Sequence, residues 1–78
     1  MVKNLVITLS DEDLNNVDFL RQHLGAEGDN CCELFFRLRD HANGKYVMLR
    51  SNRLIAVDKR LMDALHEAGI ECQVNARV

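Results

Sequence analysis

Hydrophobic positions recur along this chain with two different periods. Residues 5–9 alternate, with Leu5, Ile7 and Leu9 on one side and Val6 and Thr8 on the other. A period of two marks a half-buried strand. Residues 31–39 repeat the pattern, setting Cys32, Leu34, Phe36 and Leu38 against Glu33, Phe35, Arg37 and Arg39. Three further strands are predicted over residues 46–50, 54–57 and 70–74. In the first of these, Val47 and Leu49 are expected to face the core, with Tyr46, Met48 and Arg50 facing out. In the last, Ile70, Cys72 and Val74 are expected inside.

Between these stretches the apolar spacing widens to three and four, the period of a helix. Leu14, Val17, Leu20 or Arg21, and Leu24 make one stripe, with Phe19 beside it. Ser10 is placed as the N-cap, and Asp13 stands three residues on, as in a capping box. Leu9 and Leu14 are placed to staple that helix start, and Gly25 to end the helix in a left-handed turn. A second helix follows Asp58, with Val57 and Met62 as its staple. Leu61, Ala64, Leu65 and Ala68 form its stripe and Gly69 its stop. Asn43-Gly44 predicts a hairpin closed by a tight type I′ turn. The order β-α-β-β-β-α-β predicts an α+β, ferredoxin-like sandwich, with two helices on one face of a mainly antiparallel sheet.

That layout leaves the second sheet face bare. The residues assigned to it are Phe35, Arg37, Arg39, Tyr46, Met48 and Arg50, which are the candidate partner-binding residues. Aromatic, Met and Arg side chains are enriched in interface cores. The assignment depends on register, because a slip of one residue turns a whole strand over. The same face invites a second reading, as a platform on which aromatic rings stack bases. The consensus for such platforms is not met: Lys45-Tyr46-Val47-Met48 has neither the glycine nor the second aromatic. The formal net charge of −2 also points away from nucleic acid as the main ligand.

Other chemistry is sparse. The three cysteines, Cys31, Cys32 and Cys72, are an odd number with a vicinal pair, which makes a poor disulfide framework. No signal-peptide pattern opens the chain, so a reducing, cytoplasmic setting is expected. The spacing of Cys31, Cys32, Cys72 and of His23, His41 and His66 is not that of a zinc site. The histidines read as surface imidazoles. No cofactor is expected, nor a metal site, nor catalytic residues, because no nucleophile, base and orienting group converge. Asp11, Glu12 and Asp13 suit the positive end of a helix dipole. Arg50, Arg53, Lys59 and Arg60 cluster in sequence, as a solvated surface or a dock for an acidic group. The chain of 78 residues reads as a single domain, residues 1–78. Its opening directly on a strand predicts a piece of a larger protein. No stretch approaches the length of about 20 apolar residues that spans a membrane.

The packing positions together resemble a known family. They are Ile7-Thr8-Leu9, Asp11 to Leu14, Leu34-Phe35-Phe36, Val47 to Ser51, and Ile55 to Asp58 with Leu61 and Leu65. This run is similar to the extreme C-terminal domain of the bacterial DNA polymerase III alpha subunit, particularly its Bacteroidetes-like form. The resemblance spans nearly the whole chain and rests on packing residues, without a chemical signature. It implies a non-catalytic domain of a replicative DNA polymerase, whose metal-binding aspartates lie in a separate domain. It implies a role in DNA replication and a replisome partner, the tau subunit of the clamp loader or neighbouring polymerase domains. No clamp-binding pentapeptide is present and little tail follows the last strand, so no single contact residue is transferred. The alternative is a small nucleic-acid-binding module with weak affinity for single-stranded DNA.

Overall fold

The computed structural model describes residues 2–40 and 42–76. The described residues form an α+β domain compatible with a ferredoxin-like arrangement. They comprise strands β1 (Val2–Leu9), β2 (Cys31–Asp40), β3 (Lys45–Arg50), β4 (Ile55–Ala56) and β5 (Glu71–Ala76), and helix α1 (Lys59–Glu67). Two 3-10 segments, Asp13–Asn16 and Asp18–Gln22, stand between β1 and β2. The sheet order is β3-β2-β1-β5, with β4 paired to the start of β2. Among the described residues only β1 and β2 pair in parallel; the other pairings are antiparallel.

The register settles which residues share a face. Leu5, Ile7 and Leu9 lie beside Leu34, Phe36 and Leu38, and the last two lie beside Leu49 and Val47. This is the core face. Leu20 of the second 3-10 segment and Leu61 and Leu65 of α1 bury against it, so the helical layer covers one side of the sheet. Leu5, Ile7, Leu34, Ile55, Leu61 and Leu65 are wholly enclosed. Each such side chain contributes about 1.5–3 kcal/mol of transfer free energy.

Helix α1 matches its sequence signals closely. Asp58 accepts a hydrogen bond from the Leu61 amide at 2.8 Å. At the other end Gly69 has φ of 69°, and the Gly69 and Ile70 amides donate to the His66 and Leu65 carbonyls. These are the two bonds of a Schellman stop.

The predicted first α-helix does not form. Residues 13–22 make two short 3-10 turns, broken at Val17 (φ −106°). Asn15, Asn16, Asp18 and the β-branched Val17 all have low helix propensity, so the apolar spacing is met without an α-helix. Ser10 does meet Asp13, but its amide and hydroxyl both donate to one carboxylate, at 2.9 and 3.0 Å. The hairpin turn also departs from expectation. Among the described residues no non-glycine has positive φ, so Asn43 cannot complete a type I′ turn. Strand β2 ends at Asp40 and β3 begins at Lys45, with Ala42 to Gly44 described between them and His41 outside the described residues. Gly44 alone is left-handed at φ of 69°, and its amide donates to the Asp40 carbonyl. The Asp40 and Asn43 side chains brace the loop by accepting from the Ala42 and Lys45 amides.

Candidate functional site

The uncovered side of the sheet carries all six candidate partner-binding residues. Across β2 and β3, Phe35 is opposite Arg50, Arg37 opposite Met48, and Arg39 opposite Tyr46. Directly opposed residues point to the same side, so the six form a continuous two-strand patch. Tyr46 and Met48 are 45% and 52% exposed, which is high for side chains of this size and leaves them free for contact.

The patch is ordered from within. The Arg37 guanidinium carbon lies 4.9 Å from the centre of the Tyr46 ring. Its Nε donates to Thr8 Oγ1 at 3.0 Å, and a terminal nitrogen stands 3.9 Å from the Glu71 carboxylate. Arg39 donates to the phenolic oxygen of Tyr46 at 3.0 Å. Two arginines therefore hold one tyrosine in place from β2. Such stacking fixes long side chains before a partner arrives and lowers the ordering entropy of association. Among the described residues, neither Arg39 nor Arg50 has a carboxylate within salt-bridge distance.

The far side of the same face differs in character. Toward β5 it presents Asn4, Gln73, Asn75 and Glu71, with Asn75 Nδ2 donating to Asn4 Oδ1. The sheet face thus grades from basic and aromatic at β3 to amide-rich and acidic at β5.

The core face of β3 is incompletely covered. Val47 and Leu49, expected inside, point to that side but remain 51% and 49% exposed. Leu14, the expected staple partner, is exposed as well. An apolar groove of about 480 Å³ opens there, between Leu14, Val17 and Leu24 on one bank and Phe36, Leu38 and Leu49 on the other. Val74 on β5 is likewise 40% exposed despite facing the helical side.

The basic cluster read from residues 50–60 is split by the fold. Arg50 lies on the bare sheet face, whereas Lys59 and Arg60 sit on α1 in the opposite layer. Lys59 pairs with Asp63 and Arg60 with the Gln22 amide oxygen. Arg53 has its guanidinium beside Gly25, so close that a Cβ there would approach it to 3.0 Å.

Of the histidines, His66 is exposed, and His23 is not the expected surface imidazole. His23 is buried, with Nδ1 3.4 Å from the Phe19 carbonyl and Nε2 3.2 Å from Asp58. It joins the end of the second 3-10 segment to the cap of α1. Residues 23 and 58 are far apart in the chain, and no local pattern links them. The Asp58 carboxyl is held below its ordinary range, first by the Leu61 amide, against some desolvation, and then by His23 and Arg60.

Burial raises the Cys32 and Cys72 thiols above the usual value, with Cys31 and Glu33 adding to the effect at Cys32 and Glu71 at Cys72. Both are poor nucleophiles in this state. Among the described residues no group of three His, Cys, Asp or Glu side chains could hold a metal ion. No helix of the described residues is long and apolar enough to cross a membrane.

Comparison with protein-family models, curated proteins and solved structures returns no match to this chain.

Proposed function

We propose that this chain is a non-catalytic docking domain whose protein partner seats on the β2–β3 side of the uncovered sheet face. The observation that carries this reading is the set of six residues on one face, two of whose arginines already fix Tyr46. Exposed Tyr, Met and Arg in one patch have the composition of an interface centre. On the resemblance of its packing positions, the domain belongs to a DNA polymerase III alpha subunit, and the partner is a replisome protein such as the tau subunit of the clamp loader. The setting of such a domain is the cytoplasm, and its role is to tether the polymerase during DNA replication.

Base stacking is the weaker reading of this face. A stacking platform presents open aromatic faces, and the Tyr46 ring is already engaged by Arg37. The amides and carboxylate toward β5 would repel a phosphate track or leave it uncompensated.

The test is a titration with a tau-like clamp-loader subunit, followed by calorimetry. Saturable binding is expected, weakened about tenfold or more by Tyr46→Ala or Arg39→Ala, the usual range for interface anchors. Single-stranded DNA titrated at low salt is expected to give no binding that depends on these side chains. Absence of binding by both the domain and its full-length parent would remove the tau assignment. DNA binding that falls steeply with salt and with Phe35→Ala would replace the docking reading.

A further inference from the structure

The free edge of β3 extends the docking reading, on which this inference rests. The Ser51 amide donates to the Leu34 carbonyl at 2.8 Å, so residues 34 and 51 form a hydrogen-bonded pair of the antiparallel ladder. Such pairs alternate with non-hydrogen-bonded ones. In the register of β2 and β3, Leu49, Val47 and Lys45 therefore direct their backbone groups toward β2. Tyr46, Met48 and Arg50 direct theirs outward. Strand β3 is the last in the sheet order, so these outward amides and carbonyls meet no strand. Proteins commonly blunt such edges with proline, bulges or inward charges. From Tyr46 to Leu49 this edge has none of these, and its pairing with β2 runs without a register shift.

The two faces beside that edge differ in chemistry. On the bare face the flanking side chains are Arg50, Met48 and Tyr46, with Arg39 behind Tyr46. On the other face Leu49 lines the apolar groove and Val47 lies beside Leu38, another of its lining residues. An added strand has alternate side chains on these two faces. The chemistry that fits both is a carboxylate on one side and an aliphatic group on the other.

We propose that β3 receives an extended segment of the partner as an additional strand, and that this segment alternates acidic with aliphatic residues. Its aliphatic side chains enter the groove side, beside Val47 and Leu49. Its carboxylates lie over the bare face, where they meet Arg50 and Arg39. Backbone bonds to Tyr46, Met48 and Arg50 supply pairing, and the two faces supply register. A second copy of this chain fits less well, because antiparallel β3–β3 pairing would bring two arginine-rich faces together.

The probe is a synthetic peptide of about seven residues, the span of an ordinary strand, alternating glutamate with valine and leucine. Binding is followed by the amide resonances of the whole domain. Protection of the Tyr46, Met48 and Arg50 amides is expected. N-methylation of the peptide at the bonding positions is expected to weaken binding about tenfold or more, and replacing glutamate by lysine about as much. Met48→Pro is expected to abolish binding and Met48→Ala to preserve most of it, since only the former removes an outward amide. N-methylated and unmodified peptides of equal affinity would overturn edge pairing without involving a variant that could fold poorly. Amide protection that grows with protein concentration in the absence of peptide would assign the edge to a second copy and also overturn it. If the natural partner binds Met48→Pro normally and loses affinity for Arg39→Ala, the face reading stands and strand addition fails. If neither variant affects the partner, both fail.

Discussion

The two edges of this sheet are built from different materials. Strand β5 ends the sheet with Glu71, Gln73 and Asn75 on the bare face, and its pairing with β1 shifts register between Val2 and Asn4. Strand β3 ends it with Tyr46, Val47, Met48 and Leu49 in sequence, flanked by Lys45 and Arg50. Both edges hang on the same central pair, β1 and β2. An irregular, amide-rich edge discourages further pairing, and a regular apolar one permits it. On the proposed docking reading, the contrast assigns the partner to β3: one edge is finished for solvent and the other is not.

The largest expected effect comes from the centre that both edges share. Leu34→Ala empties a fully buried site on β2 and should lower stability by about 2–5 kcal/mol, read as a fall in the urea midpoint. Protection from hydrogen exchange should fall at β3 and β5 alike. Loss confined to one edge would show that the edges are stabilised separately.

Glutamate substitution sharpens the contrast itself. Met48→Glu and Gln73→Glu are both exposed changes and should each alter stability by no more than about 0.5 kcal/mol. Partner affinity should fall about tenfold with the first and stay unchanged with the second. Equal losses would erase the distinction between the edges.

The approach to β5 has its own pH dependence. Because the folded state depresses the Asp58 carboxyl, this cap stabilises the fold above the unfolded carboxylate range, near pH 4. Its contribution is lost as pH falls through the lower, folded value. Acid melting of wild type should therefore be steeper below about pH 4 than that of Asp58→Asn, which cannot titrate. Identical acid limbs would show that Asp58 is not coupled to folding.

The smallest effect is chemical. Cys72 on β5 and Cys32 on β2 have raised thiols, and Cys32 is the more deeply buried. Maleimide labelling near pH 7 should therefore modify Cys31 first, which mass mapping would show. Early labelling of Cys32 would mean that the start of β2 opens readily.

Strand identities and faces were legible in the sequence because a period of two survives in β1, β2 and β3. The six-residue face followed directly from it. Helix α1 was legible too, since Asp58, its apolar stripe and Gly69 all agree. Residues 13–22 were not, because hydrophobic spacing alone does not register the poor helix propensity of Asn15, Asn16 and Val17. Val47 and Leu49 face the side the sequence assigns them, yet stay about half exposed beside the groove. The His23–Asp58 contact was hidden for another reason: it is made by tertiary packing between residues with no local relationship.

The most direct test of the docking account is amide hydrogen exchange of the domain with and without a bound tau-like subunit. The account predicts added protection at Tyr46, Met48 and Arg50 and none at Glu71–Ala76. Protection centred on β5, or on neither edge of a saturated complex, would contradict it.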